Sequence, residues 1–116
     1  MFSVTKFERL TGHEPQTSAC GTLWSASCNC TCDGKGQVFT VTERVLENAL
    51  KRLHVLIYRW HCQIVYIRQG GKCARCGGLG PFDPHHKVKR SKQGRSDMVS
   101  NLEMLCRHDH DEEHRR

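Results

Sequence analysis

Between Thr42 and Gln69 the chain contains neither glycine nor proline, and Leu46, Leu50, Leu53, Ile57, Trp60, Ile64 and Ile67 recur at steps of three and four. That spacing is one face of an α-helix, so the sequence predicts a helix over 42–69. Thr42 is placed to cap its start, and Gly70-Gly71 supplies a stop. Unbroken, such an element reaches about 40 Å. The β-favouring run Ile64-Val65-Tyr66-Ile67 is where it could end earlier. Arg44, Glu47, Lys51, Arg52 and Arg59 fall on the opposite, solvated face. The apolar stripe is a surface on which a second copy of the chain or a protein partner could pack.

The 116 residues fit one domain with an extension. Residues 1–41 are rich in Ser, Thr, Gly and Cys, lack an apolar period, and contain the breakers Gly12, Pro15, Gly21, Gly34 and Gly36. They read as an irregular extension. Cys20, Cys28, Cys30 and Cys32 in it could bind zinc, but Cys-x-Cys grips a tetrahedral ion less typically than Cys-x-x-Cys. Free, loosely ordered thiols are the expectation. The start Met-Phe-Ser-Val-Thr-Lys lacks the pattern of a secretory signal, so the eight cysteines point to a reducing cytoplasm rather than a disulfide framework. Even the most apolar stretch, Leu53 to Ile67, carries His54, Arg59 and His61, which argues against a membrane span.

Charge is unevenly placed. Residues 1–40 hold three basic and three acidic side chains, and residues 41–116 hold fifteen and nine. A positive field in the second part attracts phosphate polyanions through counterion release. Its densest portion is the acid-free series Lys87, Lys89, Arg90, Lys92 and Arg95, expected to contact the phosphates of DNA and thereby to position the backbone without reading base sequence.

Residues 70–116 carry the chemistry. Cys73 and Cys76 stand two apart before Gly77-Gly78, a spacing that lets two thiolates hold one zinc. Cys106 is in place for a third sulfur. The fourth ligand is open between Asp109, a harder donor than the usual cysteine, and His108. His110 and His114 stand at i and i+4, on one side of a helix. With a histidine from a preceding strand they would make a cage for a divalent ion.

Taken together, Cys73-x-x-Cys76, His85-His86, Asn101-Leu102, Leu105-Cys106 and His110-x-x-x-His114 resemble, in order and spacing, the HNH endonuclease family. The resemblance covers 73–114. It implies an α+β fold: a small ββα-metal nuclease module with a zinc knuckle, preceded here by the long amphipathic helix and the Cys-rich extension. It further implies His86 as general base, His85, His110 and His114 as ligands of a catalytic divalent ion (magnesium, manganese, nickel or zinc), and DNA as substrate. Asn101 would orient the catalytic loop or base, the role favoured here, or face the metal. A rival reading is a zinc-stabilised nucleic-acid-binding protein without catalysis, which would need the cysteines and the basic loop but not His86.

Overall fold

In a computed structural model, residues 2–88 and 97–114 are described, the side chains of Glu113 and His114 excepted. The chain forms α1 (Val4–Thr11), β1 (Gln16–Cys20), β2 (Leu23–Cys30), β3 (Gln37–Glu43), α2 (Leu46–Arg68), β4 (Phe82–His86), a single 3₁₀ turn (Val99–Asn101), β5 (Leu102–Cys106) and α3 (Arg107–His114).

Residues 1–41 are therefore not an irregular extension. They hold a capped helix and most of an antiparallel meander in the order β1-β2-β3. Ser3 accepts from the backbone N–H of Lys6 at the start of α1, and Gly12, at φ 74°, ends it. Along β2 the residues Ala26, Cys28 and Cys30 are buried while Ser25, Ser27 and Asn29 stand between them. This is a period-two pattern written in small side chains, with cysteine acting as a compact apolar residue. Its shallow face lets α2 approach closely, and Phe7, Ala26, Cys28, Val41, Ala49, Leu50, Leu53 and Ile57 make one apolar cluster. Cys28 and Cys30 are core residues, not loose thiols.

The long helix begins at Leu46 rather than Thr42. Thr42 lies in β3, opposite Ser25, because Phe39, Val41 and Glu43 pair with Cys28, Ala26 and Trp24 and hold this stretch extended. The predicted stop stands: Gly70 and Gly71 follow with φ 68° and 73°, where a side chain would be strained. The predicted stripe is buried at Leu50, Leu53, Ile57 and Ile64, but its second half turns. His61 and Val65 point inward, and Ile67 is 62% exposed. Two layers claim the helix on different sides. Its first half packs on β2 and β3, and its second half on β5, where Val65, Leu102 and Met104 form a smaller cluster. Most of the stripe offered above to a second copy is thus covered by the chain itself, with Ile67 left exposed at its end. No helix among the described residues is long and apolar enough to cross a membrane.

Candidate metal centres and catalytic site

After Gly71, the Cys73–Cys76 turn is laid against β5. Ala74 N–H donates to Met104 O, and Gln69 brackets Met104 with bonds to both its N–H and its carbonyl. The consequence is a convergence of Cys73, Cys76, Cys106 and Asp109, whose ligand atoms all lie within 4.8 Å of one another. Cys76 Sγ and Cys106 Sγ are 3.7 Å apart, and Asp109 Oδ2 lies 3.1 Å from Cys73 Sγ and 3.3 Å from Cys106 Sγ. A tetrahedral zinc with Zn–S near 2.3 Å sets sulfur–sulfur edges of about 3.8 Å, so the spacing fits. Backbone N–H groups of Cys106 and Gly78 point at Cys73 Sγ and Cys76 Sγ, as thiolates require. The Asp109 carboxyl is held well below the usual carboxylate range by the Cys73, Cys76 and Cys106 thiols, and the same carboxylate pushes Cys76 up to about 12. Negative charge is thus concentrated where a divalent cation would replace the thiol protons. Of the two candidates for the fourth position, Asp109 is in the cluster; His108 lies beside it, its Nδ1 3.6 Å from Asp109 Oδ1.

β4 pairs antiparallel with β5, His85 opposite Glu103 and His86 opposite Leu102. Strand alternation sends the two histidines to opposite faces. His85 meets His110 of α3 edge-on, ring centroids 6.0 Å apart. Asp83, on the same face as His85, places Oδ2 3.7 Å from His110 Nδ1. Two imidazoles and a carboxylate are donors that suit a divalent first-row ion. The side chain of His114, expected as the third ligand, lies outside the described residues.

His86, the last residue of β4, turns toward α2, where its ring stacks on Tyr58 at 5.9 Å with the planes 3° apart. Its Nε2 is 2.7 Å from Asp97 Oδ1. Asp97 is 1% exposed and accepts at its other oxygen from His54 Nε2 at 2.6 Å. Its backbone is pinned as well: its N–H donates to Leu10 O, and its carbonyl accepts from His61 Nδ1 at 2.6 Å. Just beyond His86, the Asn101 side chain takes both backbone groups of Val88, accepting from N–H at 2.9 Å and donating to the carbonyl at 3.2 Å, while Lys87 N–H donates to Asn101 O. Residues 87–88 are thereby clamped to the start of β5. Lys87 is exposed; Lys89, Arg90, Lys92 and Arg95 lie outside the described residues.

Residues 73–116 match the HNH endonuclease family model. No curated protein and no solved structure matches the chain. The HNH match points to nuclease-like or nucleic-acid-related function with metal sites, and it coincides with the knuckle, the β4–β5 ribbon and α3. Asp97 was not singled out from sequence. A lone acid between a basic loop and Asn101 looks like any turn residue, and only the fold shows it buried between two imidazoles. A second convergence of ligand atoms, of His13, Cys30, Cys32 and His61, also lies within 4.8 Å but entirely outside the HNH segment.

Proposed function

We propose that this chain is a metal-dependent endonuclease that hydrolyses the phosphodiester backbone of DNA, with His86 as general base. The observation that carries the reading is the 2.7 Å contact of His86 Nε2 with the buried Asp97 carboxylate. With Asp97 ionised, the imidazole proton resides on Nε2 and the lone pair on Nδ1, the form that accepts a proton from water, and the imidazolium that results is stabilised by the same carboxylate. Tyr58, stacked on the ring, fixes its plane.

A divalent ion on His85 and His110, with His114 as the third ligand, would supply Lewis-acid stabilisation of the charge that develops on phosphorus-bound oxygens. Asn101 acts as a positioning residue: by clamping Val88 it holds the backbone that follows His86. The basic series from Lys87 to Arg95 is assigned to phosphate contacts, which seat the substrate without selecting a sequence.

The test is nicking of supercoiled plasmid after chelation and add-back of magnesium, manganese, nickel or zinc, with His86→Ala and His85→Ala in parallel. Metal-restored nicking that both substitutions abolish, with the fold retained, is the expected result. If no ion restores cleavage while DNA is still bound, the zinc-stabilised binding protein is the better reading. If His86→Ala cuts normally but melts earlier, the His86–Asp97 pair is structural and the base lies elsewhere.

A further inference from the structure

His61 is fully buried on the apolar face of α2, four residues from Ile57. A buried imidazole in such a place is unfavourable unless both its nitrogens are satisfied. Nδ1 donates to Asp97 O at 2.6 Å. Nε2 faces a group drawn from two other parts of the chain: it is 3.2 Å from His13 Nε2, 3.5 Å from Cys30 Sγ and 3.9 Å from Cys32 Sγ. His13 Nε2 in turn lies 3.6 Å from Cys30 Sγ and 3.4 Å from Cys32 Sγ.

These separations match a tetrahedron around one ion. With Zn–N of about 2.0–2.1 Å and Zn–S of about 2.3 Å, tetrahedral edges are about 3.4 Å for nitrogen–nitrogen and about 3.5 Å for nitrogen–sulfur. A hydrogen bond would explain one short pair. It does not call for five pairs at the edges of one tetrahedron.

We propose that His13, Cys30, Cys32 and His61 form a second, structural zinc site of two cysteines and two histidines. The fold explains why the unpromising Cys-x-Cys spacing serves here. Cys30 ends β2 and Cys32 enters the turn that Gly34 N–H closes on Thr31 O, which brings its thiol back to the two imidazoles. His13 arrives immediately after the αL stop at Gly12, and its N–H is fixed by Thr11 Oγ1 at 3.1 Å. The Nδ1–H of His61 on a backbone carbonyl is the outer hydrogen bond that orients a ligating imidazole and leaves Nε2 for the metal. Arg68 from the far end of α2 donates to Cys32 O at 2.5 Å and closes the turn. A cleft of about 520 Å³ bordered by Thr11, His13 and Cys32 gives an ion a route in.

The site ties two separate segments of the N-terminal half, the exit of α1 and the end of β2, to α2, and its outer bond lands on Asp97. Zinc there fixes the Asp97 main chain and so the carboxylate that holds His86. This last consequence rests on the base role proposed above, whereas the metal count does not.

The experiment counts zinc in the purified full chain by mass spectrometry and repeats the count with cobalt(II), whose thiolate charge-transfer absorption reports only sulfur-ligated ions and ignores one held by His85 and His110. Cys30→Ser/Cys32→Ser is expected to lose one sulfur-bound equivalent. Cys20→Ser, which alters an exposed cysteine outside the cluster, is expected to lose none. His13→Cys retains a four-ligand shell and takes the sulfur ligands from five to six across the two sites, so its charge-transfer absorption should rise by roughly a fifth. Equal metal in the wild type and Cys30→Ser/Cys32→Ser overturns the site. Should that variant fail to fold, an unchanged cobalt spectrum in His13→Cys overturns it just as directly. Loss of nicking with the metal count intact would count against the nuclease reading alone.

Discussion

The N-terminal unit packs Phe7, Ala26, Val41, Leu50, Leu53 and Ile57 into one apolar cluster, whereas the HNH segment brings Leu102 and Met104, with Phe82 and Val99 at the edge, to a smaller cluster completed by Val65 of α2. The first region gains its stability from burial of side chains far apart in sequence. The second is a two-stranded ribbon and a short helix, and such pieces stand alone poorly in water. It leans on α2 and on the thiol–carboxylate knuckle. The side chains to which a function is proposed follow the same division. Those of the HNH segment are displayed on the small, stapled region, while the groups that hold them, Tyr58, His54 and the Asp97 backbone contacts with Leu10 and His61, reach over from the larger one.

The sharpest way to break this comparison is His86→Ala. If chemistry resides in the ribbon and stability in the N-terminal unit, plasmid nicking should fall by about 10²–10⁴-fold while the melting temperature moves little. A large fall in melting temperature instead would make His86 part of the scaffold. Leu53→Ala probes the opposite side. Leu53 is fully buried in the larger cluster, and its truncation should lower stability by about 2–5 kcal/mol in urea unfolding. The molecules that remain folded should cut at the wild-type rate. A loss confined to amide protection in β4 and β5 would show that the two regions are not coupled as described.

What the sequence made legible follows the same line. The HNH pattern was readable because its ligands lie in short local spacings, Cys73 with Cys76 and His85 beside His86, which survive without knowledge of the fold. The helix over 42–69 was readable from its apolar period, apart from its first turn. The N-terminal sheet was not, because the inward face of its central strand is Ala26, Cys28 and Cys30, small residues without the branched or aromatic side chains that mark a strand, and its turns are glycine-rich like those of a loop. His13 and His61 were invisible as partners because 48 residues separate them. His61 stood out in the sequence only as one of the polar side chains that argue against a membrane span, although a histidine that the fold buries is itself a signal for a ligand.

A middle-sized effect should come from Asp97→Asn, the residue where the two regions meet. The amide keeps the size of the side chain but offers one acceptor oxygen in place of two, so it cannot accept from both His54 Nε2 and His86 Nε2. The expected outcome is a fall of about 10–100-fold in kcat with KM little changed, since positioning of the base rather than substrate binding is affected. The same variant should lose some stability, because one of the two hydrogen bonds to a buried side chain is lost. A rise in KM with kcat retained would assign Asp97 to substrate binding instead.

The smallest effect bears on the face of α2 that neither region covers. Ile67 stands 62% exposed at the end of the helix, near Tyr66, which is 39% exposed. If the two regions described here account for the whole of the helix's apolar burial, Ile67→Ser should change stability by no more than about 0.5 kcal/mol. It should also leave the sedimentation coefficient unaltered. A lower mass in sedimentation, or a loss of several kcal/mol that depends on protein concentration, would mean that a second copy covers this end of α2. The stripe would then serve two cores at once, its inner face within the chain and its last turn between chains.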